Sequence, residues 1–179
     1  MASAPKKILF DDFAEELLEE RSVRPLIIVG ASKVDDLLQE ILSSYLLPKI
    51  DKDDELLGRD RPLNTFSARI KLCYRLGLID KTLYTALEKL RALRNPSAHH
   101  ITFDPSQPPV VDHLRDLRTK LSARASFGLT KERYFDDAIL SPVEDLQCLL
   151  LTMCVLLEAI REKIFVTTGH QVALSIAAK

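Results

Sequence analysis

Apolar residues recur at steps of three and four along most of this chain, which is the spacing of one face of an α-helix. No stretch alternates between apolar and polar residues for long enough to indicate a β-strand. The pattern predicts helices over residues 6–20, 23–47, 66–76, 81–94, 110–121, 131–139 and 142–166. We therefore predict an all-α fold, a bundle of five to seven helices that forms a single domain over residues 1–168, followed by a flexible tail over residues 169–179.

Residues that begin and end helices support several of these boundaries. Ser141 and Glu144 enclose Pro142 in a capping box, which places the proline at the first helical position. Asp80 is predicted to cap the helix over 81–94, and Gly77 to end the preceding helix. Other predicted caps are Asn64 or Thr65 before residue 66 and Thr130 before the short helix.

Two finer predictions concern individual residues. In the helix over 66–76, four side chains are expected to face inward, namely Phe66, Ile70, Cys73 and Tyr74. Pro96 disfavours helical backbone at the residue before it, so the polar residues that follow Leu93 are predicted to lie at a helix end or a kink.

Composition adds limits on location and on bound metals. Apolar residues make up 46% of the chain and no apolar run is long enough for a membrane span. The N-terminal stretch lacks the apolar core of a secretory signal, so we expect a cytoplasmic protein. A chain of 179 residues is long enough for one well-buried domain and short for two. The three cysteines are expected to be buried and reduced, and we predict no metal and no cofactor.

Charge is distributed unevenly along the chain although its net value is −1. Residues 1–60 carry 8 basic and 14 acidic side chains, residues 61–133 carry 14 and 6, and residues 134–179 carry 3 and 6. The basic middle predicts an anionic partner. Its candidate contacts are Arg91, Arg115, Arg118, Lys120 and Arg124. The alternative is that these cations pair with carboxylates of neighbouring helices.

The candidate chemistry lies at the end of the helix over 81–94. Arg94, Asn95 and His99 form a short polar cluster inside the basic middle segment. A guanidinium can neutralise charge on a phosphate and a histidine can exchange a proton near neutral pH, so the set suits metal-independent cleavage of RNA. The alternative is structural, with Arg94 paired to a carboxylate and with Asn95 and His99 capping the helix.

Other common functional motifs are absent from the sequence. It contains no G-x-S-x-G serine elbow and no glycine-rich nucleotide-binding loop. The turn around Gly77 could join the two helices of a helix-turn-helix, but the second helix carries apolar residues where a DNA-reading helix presents polar ones. A serine hydrolase, a common nucleotide-binding protein and a standard operator-reading domain are therefore not supported.

Two segments together resemble the MltR family, the bacterial mannitol operon repressors. They are PLNTFSARIKLCYRLGLID at 62–80 and LEKLRALRNPSAHH at 87–100, and the resemblance extends through ERSVRPLIIVGASKVDDLLQEIL to cover roughly residues 15–100, with a weaker echo in LTKERYFDDAIL. The resemblance implies a helical, cytoplasmic regulator of transcription of a sugar-alcohol operon that lacks a standard DNA-binding motif. It also implies contacts with other regulatory proteins and self-association as a homodimer.

The RNPSAH segment is similar to the R-x4-6-H signature of the HEPN superfamily of helical bundles, which includes RNases and non-catalytic binding proteins. The similarity implies that Arg94 contacts the scissile phosphate, that His99 is the general acid or base, and that Asn95 orients them. It also implies two such motifs facing each other across a dimer interface. Pro96 departs from the usual motif.

Three hypotheses follow from the sequence. The first is a non-enzymatic regulator of the MltR type that acts through protein contacts. The second is a HEPN-type, metal-independent endoribonuclease or RNA-binding protein that uses Arg94 and His99. The third is a repressor that binds DNA directly through the basic residues of the helix over 110–121 and its continuation, with Arg115, Arg118, Lys120 and Arg124 as the contacts.

Overall fold

The computed structural model describes residues 10–49, 52–99, 104–136 and 138–167, and within these ranges the chain forms α-helices and no strand. In chain order they are α1 (Phe10–Glu19), α2 (Val23–Tyr45), α3 (Phe66–Arg75), α4 (Lys81–His99), α5 (Pro108–Leu121), α6 (Ala125–Phe135) and α7 (Pro142–Thr167). The predicted all-α bundle is confirmed. Residues 6–9 of the first predicted helix and the predicted tail over 169–179 lie outside the described residues.

The bundle is organised around α7. Every residue from Leu146 to Cys154 is buried, because the helix is apolar on nearly all sides over this stretch and other helices cover it. The two polar residues of the stretch, Gln147 and Thr152, both donate hydrogen bonds to backbone carbonyls. α2 packs along α7, α1 and α6 also lie against it, and α4 packs between α2 and α5. One continuous apolar core joins the helices, as a single domain requires.

The ends of the helices follow from local chemistry where the sequence contains clear caps. The Ser141 backbone N–H donates to the Glu144 carboxylate at 2.8 Å, and the Glu144 N–H donates to the Ser141 hydroxyl at 3.4 Å, which completes the predicted capping box. The Thr65 hydroxyl accepts from the Ala68 N–H and so caps α3. The Asp80 carboxylate accepts from the Leu83 N–H at 2.8 Å at the start of α4.

Gly77 ends α3 as predicted. Its φ of 72° lies in the left-handed region that glycine adopts without strain. The Gly77 N–H donates to the Tyr74 carbonyl at 3.0 Å and the Leu78 N–H donates to the Cys73 carbonyl at 2.9 Å. This pair of bonds reverses the chain so that α3 and α4 pack side by side.

The predicted end of this helix near Arg94 is too early, because α4 continues through Pro96 to His99, and the polar residues that follow Leu93 lie in its last turns. Proline removes the backbone donor that would bond the Ala92 carbonyl. One residue later, the fully buried Ser97 donates its hydroxyl to the Leu93 carbonyl at 2.8 Å and so adds a bond within the same turn. Burial of Leu93 and Ser97 against the core holds the last turns of α4 in place. Tertiary packing therefore outweighs the local preference at Asn95.

Two further predictions are corrected. Thr130 does not cap a helix; it lies inside α6, buried, and donates its hydroxyl to the Ser126 carbonyl. α6 begins at Ala125, so the turn that contains the buried Phe127 belongs to the helix. Asp136, at a φ of 46°, ends it. Tyr74 was expected to face inward but is 37% exposed, whereas Phe66, Ile70 and Cys73 are buried as expected.

Candidate functional site

The last turns of α4 carry the predicted polar cluster. Leu83, Leu87, Leu90 and Leu93 are buried along one side of the helix, so the core fixes its position and direction. Arg94 is half-buried and Asn95 is exposed. His99 belongs to the helix by its backbone, and its side chain is not among those described; His100 lies outside the described residues.

Arg24, in the first turns of α2, forms a hydrogen bond to the end of α4. Its Nε donates to the Ser97 carbonyl at 2.8 Å. The last four carbonyls of a helix have no partner within it, so this bond supplies a donor that the helix lacks. No sequence signal points to this role of Arg24, because 73 residues separate it from Ser97 and nothing local pairs them.

Arg94 has no hydrogen-bond or ion-pair partner among the residues that the structure describes, and neither does the Asn95 side chain. The structural alternative from the sequence required a carboxylate beside Arg94 and a cap from Asn95, and the described residues supply neither contact. A half-buried guanidinium on a rigid helix end can receive an anion without first breaking an internal ion pair. The roles of Arg94, Asn95 and His99 stay predictions.

The five cations predicted to contact an anionic partner lie on three elements. Arg91 is on α4, Arg115, Arg118 and Lys120 are on α5, and Arg124 precedes α6. Each arginine of this set pairs with a carboxylate, through the bonds Arg91–Glu88 at 2.9 Å, Arg115–Asp112 at 3.0 Å, Arg118–Asp145 at 2.5 Å and Arg124–Asp80 at 2.5 Å. Lys120 has no ion-pair partner in the described part of the chain.

Two of these pairs connect different helices. Arg118 links α5 to α7 through Asp145, and Arg124 links the start of α6 to the start of α4 through Asp80. The hydrogen bond from Arg124 lowers the pKa of Asp80, so this carboxylate stays ionised and continues to cap α4. To bind these arginines, an anionic ligand would have to displace the carboxylates that already pair with them.

Arg69 in the FSARIKLCYR run is a structural residue. It is 7% exposed, its guanidinium pairs with Asp35 of α2 at 2.7 Å, and its Nε donates to the Leu63 carbonyl at 3.0 Å. This arginine therefore connects two of the segments on which the family resemblance depends. Its burial makes it unavailable to a ligand.

The three cysteines are buried and free of disulfides, as predicted. Burial raises the pKa of Cys73 and of Cys154 to about 12, and that of Cys148 to about 11. Such thiols stay protonated at neutral pH, so they serve as core residues and not as nucleophiles.

Neither a metal centre nor a membrane span is built from the described ranges. No three of their His, Cys, Asp and Glu side chains are grouped so as to hold a metal ion. None of their helices is both long and apolar enough to cross a bilayer.

No protein-family model matches this sequence. A stretch of 93 residues is 34% identical to the mannitol operon repressor of Escherichia coli (strain K12), and it covers 48% of this chain and 46% of that relative. The repressor of a second Escherichia coli strain matches with the same figures. The match thus spans about half the length of these curated relatives.

Two solved structures share the fold. A possible transcriptional regulator from Shigella flexneri, YggD, superposes with a TM-score of 0.61 at 17% identity, over 86% of this chain and 99% of that one. MtlR from Escherichia coli, solved as a complex with HPr, superposes with a TM-score of 0.56 at 20% identity, over 85% and 98% of the two chains. The helical bundle described above is therefore similar in fold to two solved structures, and about half of the sequence is similar to the mannitol operon repressor.

Proposed function

We propose that this protein is a transcriptional regulator of the MltR type that acts through protein contacts instead of reading an operator itself. The partial identity to the mannitol operon repressor supports the regulatory role, and the similarity of fold is consistent with it. A cytoplasmic location and a homodimeric state belong to the same proposal.

The observation that carries this proposal is the burial of α4. It follows α3 across the Gly77 turn, so it would be the reading helix if the pair were a helix-turn-helix. Its leucines at 83, 87, 90 and 93 are buried in the core, and the far turn is held by Arg24. No residue of α4 from 83 to 94 is exposed, so this stretch of the helix offers little free surface to a major groove. We therefore propose that target choice comes from a protein partner.

The partner can be tested with purified components. MtlR forms a complex with HPr, so HPr from the same organism as this chain is the first candidate partner. We expect calorimetric titration to give a stoichiometric complex, and size-exclusion chromatography to give a larger species than either protein alone. The regulatory proposal fails if neither HPr nor any co-purifying protein binds while the purified protein shifts an operator fragment specifically, with a salt dependence that reports several phosphate contacts.

The direct DNA-binding hypothesis has its own test at Lys120, the one member of the predicted basic set without an ion pair in the described ranges. Lys120→Glu changes surface charge without breaking an ion pair of the kind that the four arginines form, although the Lys120 charge also lowers the pKa of Asp116. Lys52→Glu, on an exposed loop, is the control for the same change in charge. If retention on DNA falls for Lys120→Glu alone, the α5 face binds DNA and the present proposal is wrong on this point.

The second candidate is a HEPN-type, metal-independent endoribonuclease or RNA-binding protein. The observation that favours it is the half-buried Arg94, which lacks a partner among the described residues on a rigid helix end. In this candidate Arg94 binds the scissile phosphate, Asn95 orients the groups, and His99 transfers the proton.

This candidate predicts cleavage of mixed RNA in the presence of a chelator, with products that end in a 2′,3′-cyclic phosphate. His99→Ala and Arg94→Ala should each abolish cleavage, and Asn95→Ala should reduce it. Arg61→Ala, at an exposed loop arginine, is the control for loss of one positive charge. Equal background cleavage by the wild type and His99→Ala would remove the enzymatic candidate.

A further inference from the structure

The surface shared by α3 and the start of α4 combines stacked aromatic rings with cations. The rings of Tyr74 and Tyr84 lie 4.7 Å apart between centroids, with 33° between their planes. Tyr74 is 37% exposed, so the stack opens to solvent on the α3 side. Lys71 is exposed one helical turn before Tyr74 on the same side of α3, and Arg75 is exposed one turn after Lys71.

Lys81 extends this surface onto α4. It is exposed and stands three residues before Tyr84, so the two occupy one side of the helix. We call Lys71, Tyr74, Arg75, Lys81 and Tyr84 the α3–α4 patch.

The cations of the α3–α4 patch are not neutralised internally. In the part of the chain that the structure describes, the side chains of Lys71, Arg75 and Lys81 form no ion pair. The acidic residues on the same stretch of α4 are engaged elsewhere, since Asp80 binds Arg124 and Glu88 binds Arg91. The patch therefore presents three positive charges to a ligand.

We propose that the α3–α4 patch binds single-stranded nucleic acid without strong sequence preference. Every base has a flat face that can stack on an exposed ring, and cations on either side can contact the flanking phosphates. This inference goes beyond the proposed regulatory function and does not depend on it. It also uses a surface separate from the Arg94–His99 cluster.

The composition of the patch favours a nucleic acid over an acidic protein. The centre of a protein interface usually contains several apolar side chains and few lysines. Tyr74 is the one large hydrophobic side chain of the patch that is exposed, and its exposed neighbours are charged. Double-stranded DNA is a poorer fit, because an aromatic ring can stack only on a base that is not already stacked in a duplex.

The test titrates the full chain into labelled oligouridine or oligoadenosine of twelve nucleotides and measures fluorescence anisotropy over a range of salt concentrations. Binding below about 100 µM at low salt is expected, and three phosphate contacts give a slope of about −2 for log K against log salt. Tyr74→Ala should weaken binding about 10-fold through loss of stacking, and Tyr74→Phe should bind like the wild type. The matched control is Tyr45→Ala, at a tyrosine of similar exposure on α2 that lies outside the patch.

Charge reversal tests the cations separately. Lys71→Glu with Arg75→Glu should weaken binding at least 10-fold and reduce the slope to about −0.7, since one contact of three is left. Arg59→Glu with Arg61→Glu, two exposed loop arginines, makes the same change in net charge and should weaken binding less than 3-fold.

Three results would overturn the proposal. The first is no binding of either oligonucleotide at low salt. The second is an equal loss in the patch variants and in their controls, which would indicate a diffuse charge effect. The third is displacement of the oligonucleotide by polyglutamate at equal charge concentration together with unchanged binding by Tyr74→Ala, which would make the patch a surface for acidic polypeptides.

Discussion

Gly30 lies where α2 packs against Leu150 of α7, and replacing it with alanine tests how tightly the bundle is packed. A Cβ at this position would lie 2.7 and 2.8 Å from the two methyl carbons of Leu150 and 3.1 Å from its Cγ. Favourable carbon–carbon contacts are about 3.5–4.0 Å long, so the added atom overlaps the side chain. Leu150 is fully buried and surrounded by other core residues, so it cannot turn aside into solvent.

Gly128 provides the matched control. It lies inside α6, and an added Cβ there would meet no atom within 4 Å. Alanine in place of glycine in a helix contributes up to about 1 kcal/mol of stability, and this gain is shared by both variants. Overpacking a core costs about 1–3 kcal/mol. Gly128→Ala should therefore be up to about 1 kcal/mol more stable than the wild type, and Gly30→Ala about 1 kcal/mol less stable.

Urea denaturation followed by circular dichroism measures both changes, and the difference between the two variants isolates the overlap at Leu150. In a chain of this size the melting temperature should move by about 2–4 °C per kcal/mol. Leu150→Val in the Gly30→Ala background should cost less than Leu150→Val alone, because the smaller side chain makes room for the new methyl group. Equal stabilisation by both alanines would refute the close approach of α2 and α7.

Three other substitutions test contacts that hold the helices together. Gln147→Leu removes an amide whose NH2 lies within hydrogen-bond distance of the Leu17, Leu18 and Glu20 carbonyls at the end of α1. Because one NH2 has two hydrogens, we expect the free energy of unfolding to fall by about 2 kcal/mol and hydrogen exchange in α1 to become faster. Unchanged exchange in α1 would contradict this role. Arg69→Met should lower the free energy of unfolding by about 3 kcal/mol, because it leaves the Asp35 carboxylate without its partner. Arg69→Lys keeps the positive charge and should lower it less. Equal losses in the two variants would show that charge does not matter at this site. Ser141→Ala should cost about 1 kcal/mol at pH 7. The Ser141 hydroxyl lowers the pKa of Glu144, and the backbone N–H of residue 141, which the alanine variant keeps, lowers it further. The share of the stabilisation that the hydroxyl gives to the ionised Glu144 is present above the ordinary glutamate pKa and is lost as pH falls, so the difference from the wild type should narrow towards pH 3. A gap that does not change with pH would contradict this.

Local sequence rules predicted those parts of the fold that depend on neighbouring residues. The capping box at Ser141 and the glycine at position 77 use contacts within a few residues, and both formed as expected. The rules failed where burial competed with them. Pro96 remains inside α4 because Ser97 and Leu93 are anchored in the core, and Thr130 lies inside α6 because Phe127 is buried one turn earlier.

The candidate cluster could be located from sequence, but its support could not. Arg94 and Asn95 were identified because they follow a clear amphipathic helix. Arg24, which holds the end of that helix, comes from a different helix and has no local sequence feature that points to Ser97. Contacts between residues far apart in the chain depend on how helices pack, and helical periodicity carries no information about such partners.

The same limit applies to charge, and it changes where an anionic partner is expected to bind. Counted along the chain, residues 61–133 form one basic segment. In the folded protein Arg118 pairs with Asp145 and Arg133 pairs with Asp11, so carboxylates from the two acidic segments neutralise arginines on α5 and α6. The α3–α4 patch receives no such carboxylate from the described residues. Surface potential depends on unpaired charge and not on the number of charges in a sequence segment, so we expect an anion to bind near Lys71 and Arg75 in preference to α5.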